Sequence, residues 1–288
     1  MESKTKKFIF VNLGILLCFN IFTWIVVYDL SQPEFLEVNF FDVGQGDAIF
    51  IQTPQRHQIL IDGGPSSIIL EKLGKELPFW DKTLDLIILT HPENDHMMGL
   101  LEVLKRYKVE NILWTGVVKD TSEFKEWERL IEKEKANVFI AGVSKKITSA
   151  STILEILYPL ESLEEKKVND SNNTSVVSKL VFGKNSFLFT GDSSKSVEAQ
   201  LLEKGIDIDS DVLKIAHHGS KTSSGDDFIA KVSPEIAAIS VGKDNKYGHP
   251  SPETLETLGK YGITVLRTDK DGDIKIISNG INYAVSNF

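Results

Sequence analysis

Three ligand-type side chains, two histidines and an aspartate, occur within the segment His91-Pro92-Glu93-Asn94-Asp95-His96. The segment directly follows the apolar run DLIILT at residues 85–90, which is typical of a buried strand. Side chains just beyond the end of such a strand are held rigidly and converge on a shared cleft. Two imidazoles and a carboxylate are suitable ligands for zinc or manganese. The alternative, a helix-capping Asp95 beside two solvated histidines, would leave this clustering a coincidence.

Three further segments place polar side chains at the ends of apolar runs. They are Phe189-Thr190-Gly191-Asp192, Leu213–Ser220 with Lys214, His217 and His218, and Tyr247-Gly248-His249-Pro250. Taken singly, each has an ordinary explanation: a turn or helix cap for Asp192, a solvated strand position for Lys214, and a simple turn around His249. With the first segment, however, they hold five of the six histidines, all but His57. This coincidence predicts one site built from several ligands.

The elements that must position these residues alternate between apolar runs and helical patterns. Strands are predicted at 37–52, 58–62, 85–90, 112–114, 138–140, 153–158, 175–182, 186–190 and 211–216, and helices at 66–77, 97–107, 121–135, 194–203 and 252–260. A turn is predicted at 270–273 between two further strands. Hairpins at both ends, with helices between them, favour an α/β chain of two mixed sheets flanked by helices over one doubly wound sheet.

Composition sets outer limits on function. The formal net charge of −9 over 288 residues argues against broad, sequence-independent phosphate binding, which needs a basic surface. It does not exclude a nuclease, because acidic metal ligands contribute to that charge and bound cations reverse it locally. The only cysteine is Cys18, so an intramolecular disulfide and a cysteine-based zinc site are excluded.

One N-terminal segment, residues 8–28, carries no charge and is as long as a bilayer core requires. Lysines at positions 4, 6 and 7 precede it and acidic residues follow it, so the positive-inside rule places the remaining chain outside the cell. We therefore predict a membrane anchor at 1–30, a linker at 31–36 and one hydrolase domain at 37–288. The alternative is a secreted protein with a cleaved signal peptide, although no small-residue cleavage pattern precedes Asp29.

Several longer motifs carry a family resemblance. In chain order they are FDVGQGDA (41–48), IDGG (61–64), THPENDHMMGL (90–100), NNTSVV (172–177), FTGD (189–192), LKIAHHGSKTSS (213–224) and YGHPSPETL (247–255). This set resembles the metallo-β-lactamase superfamily, and more closely the extracellular hydrolase domain of ComEC-type DNA-uptake proteins. The resemblance implies an αββα sandwich, preceded here by one transmembrane helix, with its site at one edge of the two sheets. It also implies one or two divalent ions, zinc or manganese.

The resemblance assigns metal ligands residue by residue. The superfamily's His-x-His-x-Asp-His loop falls on His91, Glu93, Asp95 and His96, where Glu93 departs from the usual histidine and favours a harder ion such as Mn²⁺. Asn172 or Asn173 stands in place of the next histidine. Asp192 matches the bridging carboxylate. His249 and one of His217 and His218 are the candidates for the final ligand, and we assign His217 to the metal.

The resemblance also implies catalytic and supporting roles. Asp95 would orient the attacking water, while Lys214 and His218 would stabilise charge on a phosphoryl group and protonate the leaving group. The remaining candidates either support the ligands or line the substrate cleft: Asp42, Gln45, Asp47, Asp62, Asn172 and Asn173. Asp47 and Asp62 are read primarily as structural, with Asp47 as an alternative cleft residue.

The predicted function is a metal-dependent phosphodiesterase or nuclease at the outer face of the membrane. Its substrate would be DNA or another phosphodiester, its membrane contact residues 8–28, and no obligate protein partner is expected. One alternative is hydrolysis of a lactone, a thioester or a cell-wall phosphoester, because a fold does not fix a substrate. Another is a binding module without activity, since Glu93 and an asparagine replace two histidines of the superfamily.

Overall fold

The computed structural model describes residues 2–31, 35–168 and 170–286. Its internal contacts divide the chain into two units, residues 1–34 and 35–288. In the first unit, residues 5–27 of the N-terminal helix are long and apolar enough to cross a membrane, a test that a signal sequence also passes. This span agrees with the predicted anchor.

Within the described residues, the first unit is one helix, and the second unit contains two sheets and seven α-helices. In chain order the elements are α1 (Glu2–Ser31), β1 (Leu36–Phe40), β2 (Ile49–Gln52), β3 (Gln58–Ile61), α2 (Ile68–Glu76), β4 (Thr83–Leu89), α3 (Asn94–Leu104), β5 (Lys108–Trp114), α4 (Ser122–Glu134), β6 (Asn137–Ile140), β7 (Lys146–Ser149), β8 (Thr152–Tyr158), β9 (Val177–Phe182), β10 (Asn185–Phe189), α5 (Lys195–Glu203), β11 (Val212–Lys214), α6 (Asp226–Val232), β12 (Ile236–Ile239), α7 (Pro252–Lys260), β13 (Thr264–Arg267), α8 (Thr268–Asp271), β14 (Ile274–Ser278) and β15 (Tyr283–Ser286).

The strands form two mixed sheets. The larger has the order β15-β14-β1-β2-β3-β4-β5-β6, and the smaller the order β13-β12-β11-β10-β9-β8-β7. Within the larger sheet β3, β4, β5 and β6 run parallel, and within the smaller sheet β10, β11, β12 and β13 run parallel. The prediction of two mixed sheets flanked by helices is therefore confirmed.

Alternating side chains explain why both faces of each sheet are covered. In β2, Ile49 and Ile51 enter the core between the sheets, while Phe50 packs under the helices on the outer face. In β10, Phe187 and Phe189 enter the same central core and Leu188 packs under the helices of the other outer face. A strand buried on both faces reads as an unbroken apolar run, which is the pattern that the sequence shows.

The predicted single strand over residues 37–52 is wrong, because the chain leaves the sheet between β1 and β2. The loop over residues 41–48 closes through a bond from the Phe41 amide to the Ala48 carbonyl. It contains two glycines with positive φ, Gly44 at 82° and Gly46 at 142°. A Cβ at Gly46 would lie 2.1 Å from the carbonyl oxygen of Asp95, so the glycine permits the loop to pack against the start of α3.

Other element boundaries also differ from the prediction. Helix α3 begins at Asn94 rather than at residue 97, so Asp95 and His96 lie in its first turn. Strand β11 ends at Lys214 rather than at residue 216. The turn predicted at 270–273 overlaps the short helix α8. The strands β7 and β12 and the helix α6 were not predicted, because they are short and lack a distinct apolar period.

Candidate metal centre

The chain brings three buried imidazoles to one edge of the sheets. His91 lies two residues after the end of β4, His96 lies in the first turn of α3, and His218 follows β11; all three are almost fully buried. Their Nε2 atoms have no hydrogen-bond partner among the described residues. Such convergent, unpaired nitrogen atoms are expected where a cation completes the site.

A hydrogen bond to Nδ1 orients each of these rings. The Nδ1 atom of His218 lies 2.9 Å from the Ser240 carbonyl oxygen, and that of His96 lies 2.8 Å from Asp62 Oδ2. The Thr90 hydroxyl donates to Asp62 Oδ2 at 2.6 Å, so its oxygen is left to accept a hydrogen bond from His91 Nδ1 at 3.0 Å. With Nδ1 protonated, each ring can present a lone pair on Nε2, the arrangement common around metal-binding histidines.

Two carboxylates face these nitrogen atoms. Asp192 Oδ1 lies 3.4 Å from His96 Nε2, and Asp192 Oδ2 lies 3.5 Å from His218 Nε2. Asp95 Oδ2 lies 3.3 Å from the same His218 atom. The ligand atoms of Asp95, His96, Asp192 and His218 all lie within 4.8 Å of one another. This set of two nitrogen and two oxygen donors fits zinc or manganese.

Asp192 owes its free carboxylate to local structure. It follows β10 through Thr190 and Gly191, and its own amide donates to Ser175 Oγ at 3.0 Å. Ser194, not Asp192, caps α5, because the Ser194 side chain accepts from the Ser196 amide. The helix-cap alternative for Asp192 is therefore wrong, and its carboxylate is left for the site.

A second group of possible ligands, Asp47, Asp62 and His96, lies deeper in the protein. Its carboxylates already have partners. Asp47 is paired with Lys214 at 2.9 Å, and Asp62 accepts from the amide and hydroxyl of Thr90. We therefore assign this group to the support of the ligands and the group around Asp192 to the cation.

The electrostatics of the centre favour added positive charge. Burial opposes a charged imidazole, but Asp192 and Asp62 outweigh it and raise the pKa of His96 well above its usual value. Burial is likewise outweighed at His218, where Asp192, Asp47 and Asp95 raise the pKa to about 10. By contrast, burial and the neighbouring His96 lower the pKa of His91 to about 3. A divalent cation would supply the charge that two imidazolium groups otherwise provide.

Lys214 does not occupy the predicted position beside a substrate. Its side chain is fully buried, pairs with Asp47 Oδ2 at 2.9 Å and donates to the Ile215 carbonyl at 2.8 Å. Asp47 in turn lies 3.4 Å from His218 Nδ1. The lysine can therefore act on the reacting atoms only through Asp47 and His218. This correction follows from strand geometry, since Lys214 still belongs to β11 and points into the protein.

The two adjacent histidines take places opposite to those predicted. Both have left-handed backbone conformations, with φ of 49° for His217 and 54° for His218, because the strand ends before them. His218 faces the ligand group, whereas His217 Nε2 lies 3.8 Å from Asp192 Oδ2 and 3.3 Å from Asn172 Nδ2. The structure thus makes His218 the candidate ligand and places His217 at the rim, where a proton donor is expected.

The ligands open into a small polar cavity of ≈ 180 Å³. It is lined by Gln45, Glu93, Asp95, Asn172, Asp192, His217, His218, Tyr247 and His249. The His249 ring stacks on Tyr247 at 5.9 Å and lies 5.8 Å from His217. Burial and the nearby His217 lower the pKa of His249. His249, predicted as a ligand, belongs to neither ligand group and lies on the cavity wall.

The structure also shows where four other predicted residues lie relative to this cavity. Gln45 and Asn172 line it, and Gln45 Oε1 also accepts from the Gly242 amide. The Asn173 side chain is engaged elsewhere, since its Oδ1 atom accepts from the hydroxyl groups of Ser194 and Ser196. Asp42 is outside the cavity as well, where it caps its own loop through the Gly44 amide.

Glu93 lines the cavity but is not a member of either ligand group. Its Oε1 atom lies 2.5 Å from Lys119 Nζ and accepts a hydrogen bond from Ser171. Lys119 and Ser171 were missed at the level of sequence, as were Ser175 and Ser240. Lys119, Ser171 and Ser240 come from distant segments with no local signal, whereas Ser175 lies in the NNTSVV motif and could have been found. Thr90 could have been found, because it immediately precedes His91 in the motif.

Comparison with known proteins supports this picture. Residues 41–243 match the family described as the metallo-beta-lactamase superfamily. ComE operon protein 3 of Bacillus subtilis is 34% identical over 293 residues, which cover 96% of this chain and 37% of that protein. Competence protein ComA of Neisseria gonorrhoeae is 32% identical over 240 residues, which cover 83% of this chain and 32% of that protein. The chain thus spans about a third of the length of these curated relatives.

Among solved structures, the metallo-beta-lactamase fold protein YhfI of Bacillus subtilis is similar in fold. It aligns with a TM-score of 0.58 and 13% identity, covering 85% of this chain and all of that one. At this identity the likeness concerns the fold alone. The resemblance to competence proteins predicted from the motifs is confirmed by the sequence relatives.

Proposed function

Because the chain belongs to the metallo-beta-lactamase superfamily, we propose that it is a metal-dependent phosphodiesterase that cleaves nucleic acid at the outer face of a membrane. Its class, a metal-dependent hydrolase related to competence proteins, follows from the family and the centre. One observation carries the proposal: unpaired Nε2 atoms of buried histidines face Asp95 and Asp192 around a common point.

The residues that would hold the ion are Asp95, His96, Asp192 and His218. When bound, a divalent ion supplies Lewis acidity, lowering the pKa of water and stabilising negative charge on a phosphate. Asp62 and Ser240 hold the rings of His96 and His218 in place through their Nδ1 atoms. Such support fixes ring orientation and raises ligand basicity.

The other residues of the cavity suit the handling of a phosphate ester. The Asp95 carboxylate is the most exposed of the four ligands, at 35% for its side chain, so it can accept a hydrogen bond from the attacking water. His217, partly exposed at the rim, is placed to donate a proton to a leaving oxygen. The amides of Gln45 and Asn172 line the same space and can bond to phosphate oxygens.

A phosphodiester is the substrate that fits these features together. The ≈ 180 Å³ cavity accommodates a phosphate and its immediate substituents, with the remaining polymer lying across the open edge. Relatives named for competence and recombination support a nucleic acid. The net charge of −9 favours local recognition at the metal over tracking of a long basic groove.

Location outside the cell is proposed from the N-terminal segment. The candidate span over residues 5–27 has Lys4, Lys6 and Lys7 at its N-terminal end and acidic residues after it. The positive-inside rule then places the hydrolase unit on the outer side of the membrane.

The test is cleavage of single-stranded DNA and of bis-nitrophenyl phosphate by the full chain in detergent, with Mn²⁺ or Zn²⁺. We expect hydrolysis that depends on the added ion and falls by about 100-fold or more in Asp95→Asn, since the ligand and the group that orients water are lost together. Asp226→Asn is the matched control, because Asp226 forms an exposed ion pair with Lys260 and belongs neither to the ligand group nor to the lining of the cavity.

Three results would contradict the proposal. Hydrolysis of neither phosphodiester with any of the ions would exclude the phosphodiesterase. Cleavage of a lactone or thioester alone would retain the hydrolase class but show that the substrate is a different ester. Equal activity of Asp95→Asn and the wild type would place the chemistry elsewhere.

A further inference from the structure

We propose that the centre holds a single divalent ion, because an ion pair between Glu93 and Lys119 takes the place of a second one. This inference deepens the proposed function and rests on its metal centre. It concerns Glu93, two residues after His91. The Glu93 carboxylate could bind a metal ion but instead contacts Lys119.

The Glu93 carboxylate is engaged on one oxygen by two donors. Lys119 Nζ lies 2.5 Å from Glu93 Oε1 and 3.2 Å from Ser171 Oγ, and the Ser171 hydroxyl also donates to Glu93 Oε1. Glu93 and Lys119 are only partly exposed, at 38% and 22% of their side chains. A short, partly shielded contact of this kind is less screened than a surface ion pair.

Too few ligands are left for a second ion. His91 Nε2 lies 4.0 Å from Asp192 Oδ2, which makes two donors, but within the described ranges His91 and Glu93 belong to no group of three that could share an ion. His217 Nε2 lies 3.8 Å from Asp192 Oδ2 and 3.3 Å from the Asn172 amide nitrogen, but it too belongs to no group of three among the described residues. Two protein ligands are fewer than the three or four that zinc sites in proteins normally have.

Charge leads to the same conclusion. A second ion beside His91 would need a negative ligand in addition to Asp192, which already faces the first ion. The ammonium group of Lys119 neutralises Glu93, the carboxylate that the sequence places two residues after His91. The Lys119 ammonium group thereby supplies, beside Glu93, the positive charge that a second metal ion would otherwise supply. Its removal would release Glu93 and create a third ligand with His91 and Asp192.

The experiment measures the number of Mn²⁺ ions bound per chain, by isothermal titration and by elemental analysis after gel filtration of the full chain in detergent. We expect one ion in the wild type and two in Lys119→Met. Lys125→Met is the matched control, since Lys125 pairs with Asp120 on the surface, and it should keep one ion. The double variant Lys119→Met with Glu93→Gln should return to one ion, because the released carboxylate is then absent.

Two ions in the wild type would overturn the inference, and this result depends on no variant. One ion in Lys119→Met, with the fold shown intact by an unchanged thermal transition, would overturn the role of Lys119. The number of bound ions and the cleavage of phosphodiesters can be tested independently of each other. One ion without phosphodiester cleavage would leave this inference standing and remove the function, whereas two ions with Asp95-dependent cleavage would do the reverse.

Discussion

At the scale of single residues, the site depends on which nitrogen of each histidine faces the cavity. His96 and His218 are turned by acceptors behind them, Asp62 and the Ser240 carbonyl, so that Nε2 points toward Asp192. His91 is turned the same way by Thr90. The support of each ring therefore comes from a residue just after a strand: β3 for His96, β12 for His218, and for His91 the strand β4 that precedes it. The sheets thereby determine the ligand geometry.

Lys214 is the residue for which a structural and a substrate-binding role predict different results. Lys214→Met would leave Asp47 buried without its ionic partner, so we expect a loss of about 3–5 kcal/mol in the free energy of unfolding. A second substitution, Asp47→Leu, should recover part of that loss. Urea unfolding of the full chain in detergent measures both. Unchanged stability of Lys214→Met together with abolished activity would show instead that the lysine contacts the substrate.

The raised pKa values predict how ion affinity depends on pH. When no cation is bound, His218 has a pKa of about 10, since Asp192, Asp47 and Asp95 outweigh the effect of burial, and the pKa of His96 is also raised. A cation must displace these protons, so affinity should rise with pH and fall on acidification. Each displaced proton contributes about a factor of ten per pH unit below its pKa.

Competition with a fluorescent chelator between pH 6 and 8 measures this dependence. We expect the affinity for Mn²⁺ to rise roughly 10- to 100-fold per pH unit, for one or two displaced protons. Proton release, measured by titration calorimetry in buffers of different ionisation enthalpy, is an independent check. An affinity that is flat over this range would contradict the assignment of His96 and His218 as ligands.

At the scale of elements, the loop between β1 and β2 fixes the start of α3. The Asp47 amide donates to the Asp95 carbonyl, and Gly46 lies against the same carbonyl. We expect Gly46→Ala to push this carbonyl away, because its Cβ would lie 2.1 Å from the oxygen. Both stability and Mn²⁺ affinity should fall.

Gly44→Ala is the matched control for this substitution. Gly44 also has a positive φ, but a Cβ there would meet nothing within 4 Å, so only backbone strain of about 1–2 kcal/mol is expected. Thermal unfolding and ion titration compare the two variants. If Gly46→Ala were no more harmful than Gly44→Ala, the close approach of loop and helix would not support the site.

The same elements show how far the sequence alone can predict the structure. Strands such as β4 and β10 were predictable, because a strand buried on both faces is an unbroken apolar run. The run of β4 is soon followed by His91, and the run of β10 by Asp192. The choice of His218 rather than His217 as the ligand could not be predicted, since it depends on two residues with left-handed backbone conformations after β11. The contact between Glu93 and Lys119 could not be predicted either, because the two residues are 26 positions apart and Lys119 carries no local signal.

At the scale of the whole molecule, orientation across the membrane is the property that the N-terminal lysines should control. With the candidate span at residues 5–27, we expect external protease to digest the hydrolase unit in intact cells. Replacing Lys4, Lys6 and Lys7 by glutamate should reduce this accessibility, because the positive-inside bias would be lost. Digestion only after membrane disruption in the wild type would place the unit inside the cell.

The position of the bound ion tests the account most directly. Anomalous diffraction at the manganese edge, from crystals of the full chain grown with Mn²⁺, locates the ion without reference to activity. The account predicts one peak surrounded by Asp95, His96, Asp192 and His218. A peak between Asp47 and Asp62, or no peak at all in crystals grown with Mn²⁺ above pH 7, would contradict it.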